Sequence, residues 1–217
     1  MFIGHFAVGL GAKTLQPKLS LGSYFLAAQF VDLLWPTLLI FKLEEVAIAP
    51  GITEMTPLDF VRYPFTHSLV MALLWSVLGA AIVFMVKREW WPAIVLGCCV
   101  GSHWILDFIT HRPDLPLTLS EEVKVGLGLW NNKVATVVVE FVLFGAATAW
   151  YASNTNAQNK IGSIGFWSLI GFLVFIHIGN IFGPPPPSVE AIAWAGHLQW
   201  LFVAWAYWVD GNRKVID

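Results

Sequence analysis

Apolar residues run through this chain in blocks of about twenty, and polar residues gather between the blocks instead of alternating with them. At 1.5 Å of rise per residue, a helix of that length matches the roughly 30 Å hydrocarbon core of a bilayer. Six segments qualify as spanning helices: 19–41, 67–86, 91–111, 134–152, 164–182 and 189–209. The connections hold most of the charge, with Glu44, Glu45, Glu54 and Asp59 in 42–63 and a short turn at Lys87, Arg88 and Glu89. A third charged connection covers 112–133, and 153–160 is a polar turn with three Asn. Residues 183–188 contain four consecutive prolines, which remove backbone donors and cannot continue a helix. An apolar stretch at 2–12 covers only roughly 16 Å as helix and is too short to span. It reads as a half-membrane helix packed against the bundle, with Lys13, Pro17 and Lys18 in its surface turn. The pattern predicts an all-α, polytopic transmembrane helix bundle. It has about six spans plus the N-terminal half-membrane helix, in a single domain over 1–217.

Composition agrees. The chain is 57% apolar and 12% charged, where soluble domains carry roughly 25% charged residues, and its mean hydropathy is +0.69. Twelve Trp suit the two membrane–water interfaces. A net charge of −2 does not suggest a nucleic-acid partner, which needs a basic face, and the lipid bilayer is the expected surrounding. No basic region precedes 2–12, so that stretch reads as part of the mature chain and not as a cleaved signal. Lys13, Lys18, Lys87, Arg88, Lys160, Arg213 and Lys214 fall on the loops of one side, and Lys42, Arg62, Arg112, Lys124 and Lys133 on the other. The positive-inside rule then places both termini in the cytoplasm. The adjacent Cys98 and Cys99 point away from each other on a helix and read as packing residues.

Ionisable groups inside a membrane are costly and each needs a reason. By helical rise, Asp32 lies roughly 20 Å up the first span from the Lys18 end, and His5 about 12 Å up the half-helix from Lys13. His103 and Asp107 lie roughly 18 and 24 Å along the third span, and His67 opens the second at the same outer side. His103, Asp107 and His111 stand four apart on one helix face. His-x-x-x-Asp can present an imidazole and a carboxylate to one cation, a pairing suited to zinc or another first-row metal. One cation would satisfy His5, Asp32, His67, His103 and Asp107 together, whereas separate burials would need five separate partners. Gly97 and Gly101 form a small-xxx-small pair that lets another helix approach. More ordinary roles stand beside these. His177 and His197 read as packing residues, Asp32 could pair with Arg62 or Arg112, and Glu140 could be a structural partner.

These motifs resemble a known group. Gly-His at 4–5, Phe-Val-Asp-Leu at 30–33, Phe-Thr-His-Ser-Leu at 65–69 and Ser-His-Trp-Ile-Leu-Asp at 102–107 are similar to the YdjM-type family of membrane-bound metal-dependent hydrolases, some suspected to be phospholipases. His-Arg-Pro-Asp-Leu-Pro-Leu at 111–117, Gly-Leu-Trp-Asn-Asn at 128–132 and Glu140 are similar to one branch of it. The resemblance implies His5, Asp32, His67, His103 and Asp107 as metal ligands or their close partners. It implies supporting places for Asn131 and Glu140, and a bacterial inner membrane as the location. Two departures remove potential ligands: Leu34 stands where the family often has a second acid, and Arg62-Tyr63 where it often has His-Arg. One divalent ion, zinc first, is therefore the expectation.

With such an ion in place, Asp107 or Asp32 could serve as general base. Arg62 and Arg112, with His111 at the same end, could hold a phosphate. A site at this depth expects a lipid or lipid-linked substrate whose ester or phosphodiester lies at the interface. The leading expectation is a membrane-embedded metal-dependent hydrolase. The competing classes are an ion- or proton-coupled transporter using Asp32, Glu140, His103 and His177, and a non-catalytic membrane scaffold.

Overall fold

The computed structural model describes residues 1–216 and is mostly helical. In chain order its helices are α1 (Ile3–Leu15), α2 (Leu21–Ala28), α3 (Phe30–Ile40), the single turn α4 (Pro64–His67), α5 (Leu69–Lys87) and α6 (Trp90–Thr110). They continue with α7 (Lys133–Ser153), α8 (Phe166–Phe182, entered through a π turn at Ile161–Gly165), α9 (Val189–His197) and α10 (Gln199–Asp210). The bundle is not purely helical. Short antiparallel pairs stiffen the connections: β1 (Glu45–Ile48) with β2 (Leu58–Arg62), β3 (Leu115–Pro116) with β4 (Lys124–Val125), and β5 (Thr155–Ala157) with β6 (Arg213–Val215).

Among the described residues, α5, α6, α7 and the combined helix Ile161–Phe182 are long and apolar enough to cross a membrane. The α2–α3 pair, bent by 53° at Gln29, makes a fifth crossing if taken as one span. The sixth expected span differs. It divides at Leu198 into α9 and α10, and neither piece has spanning length. Just before the division, a Cβ on Gly196 would lie 2.5 Å from the Pro36 ring, so glycine there lets α9 close on α3. An unpartnered apolar surface runs along α5, where Ala72 is the one buried residue and Leu73, Val77, Ile82, Met85 and Val86 are exposed. Such a wide apolar surface is costly in water and suits hydrocarbon. On the facing side, Gly97 and Gly101 of α6 meet Ser76 and Ala80 of α5; a Cβ on Gly97 would come within 2.9 Å of the Ser76 carbonyl.

The half-length helix α1 occupies the centre of the bundle. Its Ile3, Phe6 and Leu10 are fully buried and pack with Leu21 and Phe25 of α2, Phe144 and Tyr151 of α7, Phe166 and Leu169 of α8 and Phe202 of α10. Inside hydrocarbon a helix end needs internal partners for its free backbone groups. Glu140 of α7 supplies them at one end, accepting the Phe2 N–H at 2.9 Å and the Gly4 N–H at 3.4 Å. At the other end Lys13 is buried and donates to the carbonyls of Pro17 (3.1 Å) and Leu19 (3.0 Å), beside the Asp210 carboxylate at 3.1 Å. Lys18 pairs with Glu89, and β5 pairs with β6, so the loops expected on one side do share one end. Met1 is buried within the bundle beside Asp107.

Candidate metal centre

Four segments deliver five side chains to one buried place. α6 contributes His103 and Asp107, whose four-residue spacing puts both on its inward face. α3 contributes Asp32 just after the bend, α4 contributes His67, and α1 contributes His5. Four atoms form a closed ring: His67 Nε2 to Asp32 Oδ1 is 3.4 Å and to Asp107 Oδ2 3.7 Å, while His103 Nε2 to the same oxygens is 3.6 and 3.1 Å. A tetrahedral ion with bonds of roughly 2.0–2.1 Å holds its ligand atoms roughly 3.3 Å apart. The four neighbouring pairs in the ring lie near that distance. His5, His103 and Asp107 on one side and Asp32, His67 and His103 on the other are each close enough to hold a metal ion.

The remaining ring nitrogens explain the orientation. His103 Nδ1 donates to the Ala28 carbonyl at 2.8 Å, the last carbonyl of α2 and so one without a regular helical partner. That bond turns Nε2, which is buried and makes no hydrogen bond, toward the carboxylates, where a neutral imidazole would offer a bare lone pair to a cation. His67 Nδ1 lies 2.6 Å from Thr66 Oγ1, whose hydroxyl donates to Glu44 Oε2 at 2.7 Å. Glu44 Oε1 accepts the backbone N–H groups of Phe65 (2.8 Å) and Thr66 (2.9 Å), so this loop carboxylate also caps α4. Burial raises the Glu44 carboxyl, and His67 with the hydrogen bonds from Thr66 and Phe65 pulls it back toward the charged form. Outward bonds from ligand imidazoles to carbonyls or carboxylates are what fix metal-binding tautomers. Asp107 Oδ1, the oxygen outside the ring, faces His5 Nε2 at 3.2 Å and the Met1 amino group at 2.7 Å.

Exposure differs sharply within the set. The side chains of His5, His67, His103 and Asp107 are at most 4% exposed, and Asp32 is 25% exposed. Asp32 pairs with His67 and His103, not with Arg62 or Arg112. The residues expected to hold substrate are otherwise occupied. Arg62 is exposed and lies 3.7 Å from Glu121. Arg112 is bound by Asp59 and by Asp114 (3.0 Å), so its guanidinium is neutralised within the loops. His111 is buried, with Nδ1 2.9 Å from Asp114 and its ring against Phe60 and Trp130. Burial holds His111 below its ordinary value, and burial with the Asp114 charge pushes the neighbouring Tyr63 phenol well up.

Asn131 does not take a supporting place. It is exposed in a 3-10 turn, and its neighbour Asn132 caps α7 by accepting the Ala135 N–H at 2.9 Å. Glu140 is structural, through α1 backbone and not through an Arg or Asn side chain. His197 bonds Thr37 and the Ala193 carbonyl, and His177 is enclosed between Phe2 and Phe141. Glu44, Thr66 and the Ala28 carbonyl escaped the sequence reading. The signal that could have found two of them is the Thr preceding His67. No protein-family model, curated protein or solved structure matches the chain.

Proposed function

We propose that the protein is a membrane-embedded, metal-dependent hydrolase acting on an ester or phosphodiester of a lipid or lipid-linked substrate. One observation carries the reading: four donor atoms from three segments form a ring whose neighbours lie 3.1 to 3.7 Å apart, and the two imidazoles in it are turned inward by bonds at their other nitrogens. Mixed imidazole and carboxylate donors suit zinc among the available divalent ions. His67, His103 and Asp107 would hold it and leave a fourth position open to water, with Asp32 beside that position and His5 orienting Asp107 from the side. Such an ion supplies Lewis acidity toward water and toward a carbonyl or phosphoryl oxygen.

Asp32 is the carboxylate that the outside reaches, so it is the group placed to take a proton from water entering the centre. Asp107 is held from two sides and serves as a fixed ligand. The centre lies among helices of spanning length, which supports a substrate that is itself held in the bilayer. Hydrolysis is favoured over a cation pathway because Glu140 is committed to the end of α1 and His177 is enclosed by aromatic rings. The resemblance to the YdjM-type hydrolases points the same way and suggests the bacterial inner membrane.

The test is elemental analysis of the detergent-purified protein beside His103→Ala, with hydrolysis of lipid esters and phosphodiesters in mixed micelles. About one zinc per chain and chelator-sensitive turnover are expected, both lost in the variant. No stoichiometric metal in either protein overturns the reading.

A further inference from the structure

We propose that Glu44 is a positioning residue for the centre: acting through the Thr66 hydroxyl, it sets which nitrogen of His67 faces the cation. The inference rests on the metal reading above and adds a residue 23 positions from the ligand it controls. Thr66 Oγ1 stands between two partners, Glu44 Oε2 at 2.7 Å and His67 Nδ1 at 2.6 Å. A hydroxyl has one proton to give. Given to the carboxylate, it leaves only lone pairs for His67, so Nδ1 must be the protonated nitrogen. A neutral imidazole protonated at Nδ1 has a bare Nε2. That is the nitrogen facing Asp32 and Asp107.

The arrangement gives the segment 65–68 a physical meaning residue by residue. Phe65 and Thr66 offer backbone N–H groups to Glu44 Oε1, Thr66 passes the hydrogen-bond direction to His67, and Ser68 accepts the Met71 N–H at 3.3 Å to start α5. The ligand is thereby clamped between two helix starts.

Glu44→Gln separates positioning from mere capping. The glutamine oxygen can keep both backbone N–H bonds at the Oε1 position. Its amide nitrogen then occupies the Oε2 position and donates to Thr66 Oγ1. The hydroxyl must turn its proton to His67 Nδ1, which moves the imidazole proton to Nε2, where it blocks the cation. A structural role alone predicts little change, because the cap of α4 is retained.

The experiment measures zinc affinity by chelator competition in detergent for the wild type, Glu44→Gln, Thr66→Val and Thr66→Ser, with the unfolding temperature of each metal-free protein alongside. Expected is a loss of about 10–100-fold for Glu44→Gln and Thr66→Val, and near-normal affinity for Thr66→Ser, which keeps the hydroxyl. Wild-type affinity in Glu44→Gln or Thr66→Val overturns the inference. If Glu44→Gln does not fold, the Thr66→Val and Thr66→Ser pair decides it. A wild type that binds no zinc instead brings down the metal reading itself.

Discussion

His5 and His103 lie face to face, with ring centroids 3.6 Å apart and planes 4° from parallel. Two imidazolium charges at that distance would repel strongly in a buried site. The contact therefore suits a neutral His5 supporting a ligand ring while its Nε2 orients Asp107. His5→Phe keeps the stack and loses the polar contact, so zinc affinity should fall about 10-fold with stability nearly intact. His5→Ala adds a cavity and should cost about 2–4 kcal/mol of stability as well. Chelator competition and thermal unfolding of the two variants check this, and unchanged affinity in His5→Phe would reduce His5 to packing.

Glu140 should matter through α1 and not through chemistry. It accepts two backbone N–H groups that hydrocarbon cannot satisfy. Glu140→Ala strands both, at about 1–3 kcal/mol each, and should lower the unfolding temperature of the metal-free protein. Glu140→Gln keeps an accepting oxygen and should lose less. Equal losses in the two variants would mean that charge, and not capping, is what α1 requires.

What the chain made legible divides along sequence distance. Apolar blocks announced α5, α6, α7 and the helix ending at Phe182, because each block carries its own length and period. His103 and Asp107 were readable from their spacing within one helix, and His5, Asp32 and His67 from the cost of burying them. The packing of α9 on α3 was not readable, since it depends on the close approach of Gly196 to Pro36 from a distant helix. Arg112 looked available because its neutralising partner Asp59 lies 53 positions earlier. Glu44 looked like one more loop acid for the same reason: its partners at Phe65 and Thr66 appear only when the β1–β2 hairpin folds back.

Close approach of α5 and α6 gives a prediction free of the metal. A Cβ on Gly97 would meet the Ser76 carbonyl at 2.9 Å and the Ala80 Cβ at 3.0 Å, both parts of backbone or short side chains with little room to move. Gly97→Ala should therefore destabilise by about 1–3 kcal/mol, and Gly97→Val by more, through forced separation of the helices. Since α6 carries His103 and Asp107 and α5 follows directly on His67, zinc affinity should fall in parallel. Unfolding measurements on both variants test the ordering, and a Gly97→Val protein as stable as wild type would refute it.

Protonation of His111 gives the last prediction. The ring is buried against Phe60 and Trp130, with Asp114 at 2.9 Å and the Tyr63 hydroxyl at 3.3 Å from its Nδ1. Burial lowers its pKa, and Asp114 and Asp107 oppose that without overcoming it. In the unfolded chain a histidine titrates near about 6.5. As the pH drops through that value the unfolded state gains a proton that the folded state refuses, so its relative free energy falls. The stability contributed by a neutral His111 is thus fully present above about pH 6.5 and is lost as the pH falls toward the lowered folded value, by at most about 1.4 kcal/mol per pH unit. His111→Gln removes this dependence while keeping a polar group of similar length. Unfolding of both proteins between about pH 7 and 5 should show the wild type losing stability faster, by the His111 contribution alone. Parallel curves would mean that folded His111 titrates like a free histidine, and that its burial against Trp130 has no electrostatic consequence.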